Sequence, residues 1–314
     1  GIPIRCGTAF KMGKQHYSIG TQRRFSSFFI HQFVGFSSLG IELLLKPAID
    51  GPGIKDPRFH NPFAGYSGST AESPAVFIKL RFLGTPGQGN GCLSEYIVMP
   101  QECCLPTHGR ISIEQGVLCE PLAIGVYAVK QAKLVKPTDI AIFGAGPIGL
   151  SCLLCARAEG VRACYMTEKI DSRMDTARTG GASWVGNPLK EDVVAAILQQ
   201  QPLGMDVAFE CAGQQETIDQ AVDVLKAGGK LMLVGIPRED RISFAIDKIR
   251  RKEITIVNIR RQNGCTHKAI DLVASQKVRP DFMVTHRFKL DQVQDAFELV
   301  AGYRDGVVKA MIEM

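Results

Sequence analysis

The stretch Asp139-Ile140-Ala141-Ile142-Phe143-Gly144-Ala145-Gly146-Pro147-Ile148-Gly149-Leu150-Ser151-Cys152-Leu153-Leu154 decides the fold. An apolar strand runs into a glycine-rich turn and out into an apolar helix. This is the G-x-G-x-x-G pattern in the strand–turn–helix setting where it binds a dinucleotide. Gly144 can take the positive φ of the tight turn. Gly146 leaves the backbone bare toward a diphosphate, and Gly149 lets helix and strand approach closely. Ala145, Pro147 and Ile148 complete a helix start whose N–H groups and dipole favour phosphate.

An acidic residue is expected at the end of the next strand. Arg162 to Thr167 reads as that strand, and Glu168 closes it, at the distance from Gly144 that the fingerprint requires. A carboxylate there accepts both ribose hydroxyls of NAD and repels a 2′-phosphate. Lys169 and Arg173 lie close by and leave NADP open.

With 314 residues the chain has room for two domains. Its formal charge of +6 comes from scattered Lys and Arg with no basic block, so nucleic acid is not an expected partner. Ten cysteines show no disulfide-framework spacing, which suits reduced thiols in the cytosol. Cys152 and Cys155 form a C-x-x-C inside the predicted helix, where they read as small buried apolar residues. No signal peptide is visible. The run from Ile140 to Ala156 is too broken by glycine for a membrane span, and Phe25 to Ile41 carries His31, Gln32 and four serines. The chain begins at Gly1 without Met, so a processed or truncated N-terminus is expected.

From about Thr138 strands alternate with helices. After the first two strands come Ser183–Gly186, Asp206–Glu210, Lys230–Gly235 and Ile254–Ile259, with helices at Glu191–Gln200 and Gln215–Leu225. The Gly228-Gly229 pair reads as a helix stop. Six strands with crossover helices predict a doubly wound parallel (Rossmann) sheet in the order 3-2-1-4-5-6. The segment before Val117 is rich in Gly, Pro and Ser with short β-like pieces, as at Leu93–Met99. From about Arg261 come a helix (Cys265–Ser275), a β-like piece (Met283–Phe288), a helix (Leu290–Gly302) and a strand (Gly306–Ile312). The expected organisation is a Rossmann NAD-binding domain over 122–260, inserted in a β-rich domain made of 1–121 and 261–314.

Several stretches then carry a resemblance. They are Arg81-Phe82-Leu83-Gly84-Thr85-Pro86, Gly89-Asn90-Gly91-Cys92-Leu93-Ser94-Glu95-Tyr96 and Gly116-Val117-Leu118-Cys119-Glu120-Pro121-Leu122-Ala123. The Gly144–Gly149 turn, Glu210-Cys211-Ala212-Gly213, Gly228-Gly229 and Thr285-His286-Arg287-Phe288 follow in family order. The chain resembles the medium-chain dehydrogenase/reductase family, in the branch of sorbitol, xylitol and threonine dehydrogenases. The match is close from Arg81 onward. The resemblance implies a GroES-like catalytic domain around the Rossmann sheet. The segment ahead of Arg81 matches that domain less well, and the strands that normally precede Cys6 are absent, as in an N-terminally truncated domain.

The same resemblance implies one catalytic zinc and no structural zinc. Cys6-Gly7-Thr8 is similar to the family's C-G-S/T-D ligand motif, with Ala9 in place of Asp. His31-Gln32-Phe33-Val34-Gly35, downstream at the family's spacing, is similar to H-E-x-x-G, with Gln32 in place of the ligating Glu. Glu120 is the further ligand or catalytic carboxylate that this branch keeps beside the metal. Taken alone, Glu120 ahead of Pro121 also looks like a helix N-terminus. Thr8 is the implied proton relay. Phe82, Thr85 and Arg261 are the implied substrate contacts, and Cys211, Ala212, Val234 and Gly235 the further cofactor contacts.

The expected activity is hydride transfer between a secondary alcohol and NAD, the alcohol being a polyol such as sorbitol or xylitol or its ketose, with zinc acidifying the hydroxyl. Threonine remains an alternative substrate. A remnant that binds nucleotide without metal and a zinc-independent NADPH reductase are the competing readings. The resemblance further implies a cytoplasmic homo-oligomer, dimer or tetramer.

Overall fold

The computed structural model describes residues 2–5, 93, 96–99 and 104–313. Cys6, Thr8, His31, Gln32, Phe82 and Thr85 lie outside the described residues.

Two short strands, β1 (Ile2–Arg5) and β2 (Tyr96–Met99), pair antiparallel. Helix α1 (Ile113–Ala132) then opens on a reciprocal capping box. Ser112 accepts from the Gln115 amide, and the Gln115 side chain accepts from the Ser112 amide, both at 3.1 Å. This box starts the helix two turns before Glu120, so Pro121 lies inside the helix and Glu120 is not at its N-terminus. The boundary expected at 121/122 therefore falls within one continuous helix.

The centre is a six-stranded parallel sheet. Its strands are β3 (Asp139–Phe143), β4 (Ala163–Thr167), β5 (Trp184–Gly186), β6 (Met205–Glu210), β7 (Leu225–Leu233) and β8 (Thr255–Asn258). They lie in the order β5-β4-β3-β6-β7-β8, the predicted 3-2-1-4-5-6. The crossovers are α2 (Pro147–Ala158), α3 (Asp171–Thr179), α4 (Val193–Gln200), α5 (Gln215–Val224) and the short α6 (Ile246–Arg251).

Strand β3 is buried along its whole length because helices cover both faces of the sheet. The two-residue alternation of a strand divides its side chains between two cores. Ile140, Ile142, Met166 and Phe209 pack with α1, α2 and α7 (Thr266–Ala274). Ala141, Phe143, Tyr165 and Ala208 pack with α4 and α5. Each such fully buried Ile, Met or Phe side chain contributes about 1.5–3 kcal/mol. Gly125 lets α1 and α2 touch, since a methyl group there would stand 2.6 Å from the Ser151 carbonyl. Cys152 and Cys155 are buried in this contact, and the Cys155 thiol donates to the Leu122 carbonyl at 3.7 Å.

Strand β7 differs from expectation. It begins at Leu225, directly after α5, and crosses the Gly228-Gly229 pair, so that pair is not the helix stop its sequence suggests. The helix ends because Leu225 is already extended, and Gly228, at φ +73, bends the strand where its register with β6 shifts. The chain closes with a parallel pair, β9 (Val284–Lys289) and β10 (Lys309–Glu313), around α8 (Val293–Ala301).

Candidate functional site

The three fingerprint glycines perform three separable tasks. Gly144 sits at φ +100, and its N–H donates to the Thr167 carbonyl at 2.9 Å, tying the turn to β4. A methyl group on Gly149 would run into the Gly144 carbonyl oxygen. A methyl group on Gly146 would meet only Arg173 Nη1, at 3.9 Å. Gly146 therefore keeps open space, not packing. It is also the N-cap of α2, with no side chain capping the helix and no acidic residue in the first turn. This helix start, whose first N–H groups have no acceptor within the helix, lines a crevice of about 310 Å³ through Gly146, Pro147 and Ile148.

Glu168 closes β4 at the edge of that crevice. Its Oε2 accepts from the Ala145 N–H at 2.8 Å. Its Oε1 accepts from Lys169 N at 2.8 Å and Ile170 N at 3.1 Å. The carboxylate is thus fixed by backbone donors on both sides of the crevice.

Arg173 on α3 is 6% exposed. Its Nε donates to the Val307 carbonyl at 2.8 Å, Nη2 donates to the same oxygen, and the guanidinium lies 5.3 Å from the Tyr303 ring centroid. Burial draws the guanidinium down from its ordinary value, and the Glu168 carboxylate and Tyr303 pull it back up. Lys169, Cys211 and Ala212 line the same crevice.

A second cavity, of about 260 Å³, shares Pro147 and Ile148 with the first. Glu120, Val234, Arg261 and Lys309 line it among apolar side chains. Burial raises the Glu120 carboxyl, against the pull of Lys309 and then Arg261. Burial likewise lowers the Lys309 ammonium, against the pull of Glu120. The neighbouring Cys119 thiol, pushed up to about 12 by burial, stays protonated. A ligand lying across the start of α2 would reach both cavities at once.

Gly235 lines neither cavity. It serves packing instead: a methyl group there would stand 2.5 Å from the Gly213 nitrogen and 2.6 Å from Glu210 Oε2. Glu210, which the sequence marks only as part of a motif, is the residue that shapes this wall. Its Oε1 accepts from Ala212 N (2.8 Å), Gly213 N (2.7 Å) and Thr217 Oγ1 (2.8 Å). Its buried Oε2 has no partner, and burial raises its pKa. Sequence reasoning also misses Lys309. A lone lysine in the apolar run Val307–Ile312 is the available signal.

Of the implied metal ligands only Glu120 falls among the described residues, where no three His, Cys, Asp or Glu side chains form a metal-ligating group. No helix among the described residues is long and apolar enough to cross a membrane.

Residues 147–275 match the family model described as zinc-binding dehydrogenase. The chain is 32% identical over 230 residues to L-idonate 5-dehydrogenase of Vitis vinifera, covering 71% of this chain and 62% of that one. It is 32% identical over 234 residues to sorbitol dehydrogenase of Bacillus subtilis, covering 74% and 66%. It thus spans just under two thirds of the length of these curated relatives. Among solved structures, an oxidoreductase/dehydrogenase of unknown specificity from Escherichia coli superimposes with a TM-score of 0.69 at 31% identity, covering 74% of this chain and 67% of that one. A zinc-binding dehydrogenase from Sinorhizobium meliloti bound to NADP superimposes at 0.68 and 28% identity, covering 72% and 67%. The sheet order, the glycine turn and these similarities agree: the chain belongs to the medium-chain dehydrogenase/reductase family, in the branch of zinc-dependent polyol dehydrogenases.

Proposed function

We propose that the protein is an NAD-dependent oxidoreductase that oxidises a secondary alcohol of a polyol or reduces the corresponding ketose. The observation that carries this reading is the crevice itself: an uncapped helix start at Gly146 on one side and the amide-anchored Glu168 carboxylate on the other. The residues fit a dinucleotide. Gly146 leaves room for a diphosphate, Arg173 supplies a cation toward it, and Glu168 Oε2, which accepts a single backbone bond, has a lone pair left for a ribose hydroxyl. The charge on Glu168 favours NAD over NADP.

The nicotinamide end then falls in the second cavity, against Ile148 and Val234, with Glu120, Arg261 and Lys309 facing the alcohol side. The apolar walls exclude water and hold the reacting carbons in contact. Glu120 and Arg261 orient the substrate hydroxyls. Cys6, His31, Gln32 and Glu120 would hold the zinc, Thr8 would move the hydroxyl proton, and Phe82 and Thr85 would shape the substrate pocket. When bound, NAD supplies the hydride acceptor and zinc supplies the Lewis acid that makes the alkoxide accessible near neutral pH.

The reading extends to a cytoplasmic homo-oligomer with the domain division at 122–260. Turnover tests it. Protein supplied with NAD and sorbitol, xylitol, L-idonate or L-threonine should produce NADH, and a chelator should abolish the signal. Saturable NADH binding without turnover on any of these alcohols would leave only the nucleotide-binding remnant.

A further inference from the structure

Lys169 follows Glu168 directly, yet the two side chains go different ways. Glu168 is turned inward and fixed by three backbone amides. The Lys169 ammonium reaches across to the loop after β6 and the start of α5. There it donates to Gln214 Oε1 at 3.1 Å and pairs with Glu216 Oε2 at 3.0 Å. Lys169 and Gln214 both line the adenosine side of the crevice. The backbone at Lys169 is fixed as well, because Asn187 Nδ2 donates to its carbonyl at 3.1 Å and to Asp171 Oδ1 at 3.0 Å. Only the four-carbon stem is left to move. Of the other cations lining the crevice, Arg173 is buried and committed to the Val307 carbonyl, and Arg238 comes in from the loop after β7, not from the Lys169–Glu168 backbone.

We infer that Glu216 is a positioning residue for cofactor choice: acting through Lys169, and helped by Gln214, it withholds from a 2′-phosphate the ammonium of the residue that follows Glu168. A 2′-phosphate beside Glu168 is repelled by the carboxylate and requires a cation to offset that repulsion. Lys169 is close enough in sequence and flexible enough to serve, but it is already held by an anion on the opposite wall. NADP therefore meets two obstacles, the Glu168 charge and an engaged lysine. NAD, which carries a hydroxyl at that position, meets neither. The clasp also ties the two walls of the adenosine slot together without occupying the diphosphate site at Gly146.

This inference rests on the dinucleotide reading of the crevice, and binding measurements separate the two. Dissociation constants for NADH and NADPH are measured by nicotinamide fluorescence for the wild type, Glu216→Gln, Lys169→Met and the double variant, with no need for turnover. Glu216→Gln keeps the shape and removes the charge that holds Lys169. It should improve NADPH binding relative to NADH by roughly three- to fivefold, the range expected for freeing one exposed ion-paired lysine. In the Lys169→Met background the same substitution should shift the ratio by less than about 1.5-fold, since no ammonium remains to be freed. An unchanged ratio in Glu216→Gln would overturn the inference. So would an equal shift in the Lys169→Met background, because Glu216 would then act by bare repulsion of the phosphate. Failure of the wild type to bind either nucleotide would instead sink the crevice assignment, and this inference with it.

Discussion

The Glu168 carboxylate accepts a hydrogen bond from the Ala145 amide at 2.8 Å, joining the tip of β4 to the middle of the glycine turn. One contact therefore sets the distance between the two groups that would hold the ribose and the diphosphate. The remaining donors, Lys169 N and Ile170 N, fix the carboxylate's orientation before any ligand arrives. Preorganisation of this kind reduces the entropy lost on binding.

The separate tasks of Gly146 and Gly149 can be tested against each other. Gly146 has φ −73, which any residue adopts, and a methyl group there meets nothing closer than 3.9 Å. Gly146→Ala should leave thermal stability within about 0.5 kcal/mol of the wild type while weakening NADH binding at least tenfold. Gly149→Ala drives a methyl group into the Gly144 carbonyl and should lower both stability and affinity. Melting curves beside NADH titrations distinguish the two; equal effects from both variants would contradict the assignment.

Arg173 joins the crevice to the C-terminal segment through Val307. Arg173→Met keeps much of the apolar stem but leaves the Val307 carbonyl without its guanidinium donors. Denaturant unfolding should show a loss of about 1–3 kcal/mol. NADH affinity should fall as well, and added salt should weaken binding less in the variant than in the wild type.

Glu210 predicts a pH dependence. Burial raises its folded pKa above its unfolded value, so folding favours the protonated form. Its favourable contribution is complete below the ordinary Glu value of about 4.3 and is lost as pH rises through the raised folded value. Glu210→Gln titrates nowhere in that window and can still accept from Ala212, Gly213 and Thr217. Measured by unfolding, the stability difference should move in favour of the variant as pH rises from about 4 to 7. A difference independent of pH would show that Glu210 titrates alike in both states.

The sheet order is legible in the sequence because its signals are local and agree with one another. The apolar run of β3 and the glycines that follow give that strand its observed bounds. Glu168 is legible because its place is fixed by the turn before it. The start of α1 is hidden because Glu120-Pro121 imitates a helix N-terminus, while the real cap at Ser112 lies two turns earlier. Gly228-Gly229 misleads for a similar reason, since a glycine pair that stops a helix can equally bend a strand. Lys309 and the deeper role of Glu210 are not legible at all. Their significance comes from partners distant along the chain, Glu120 and Gly235, brought together only by the folded sheet.

The most direct test of the account is an NADH titration of the wild type and Glu168→Ala, followed by nicotinamide fluorescence. Saturable binding at one site per chain is expected in the wild type. A loss of roughly ten- to hundredfold is expected in the variant, the range for removing one charge-assisted hydrogen bond to the ribose. An absence of saturation, or equal affinity in the two proteins, would contradict the account.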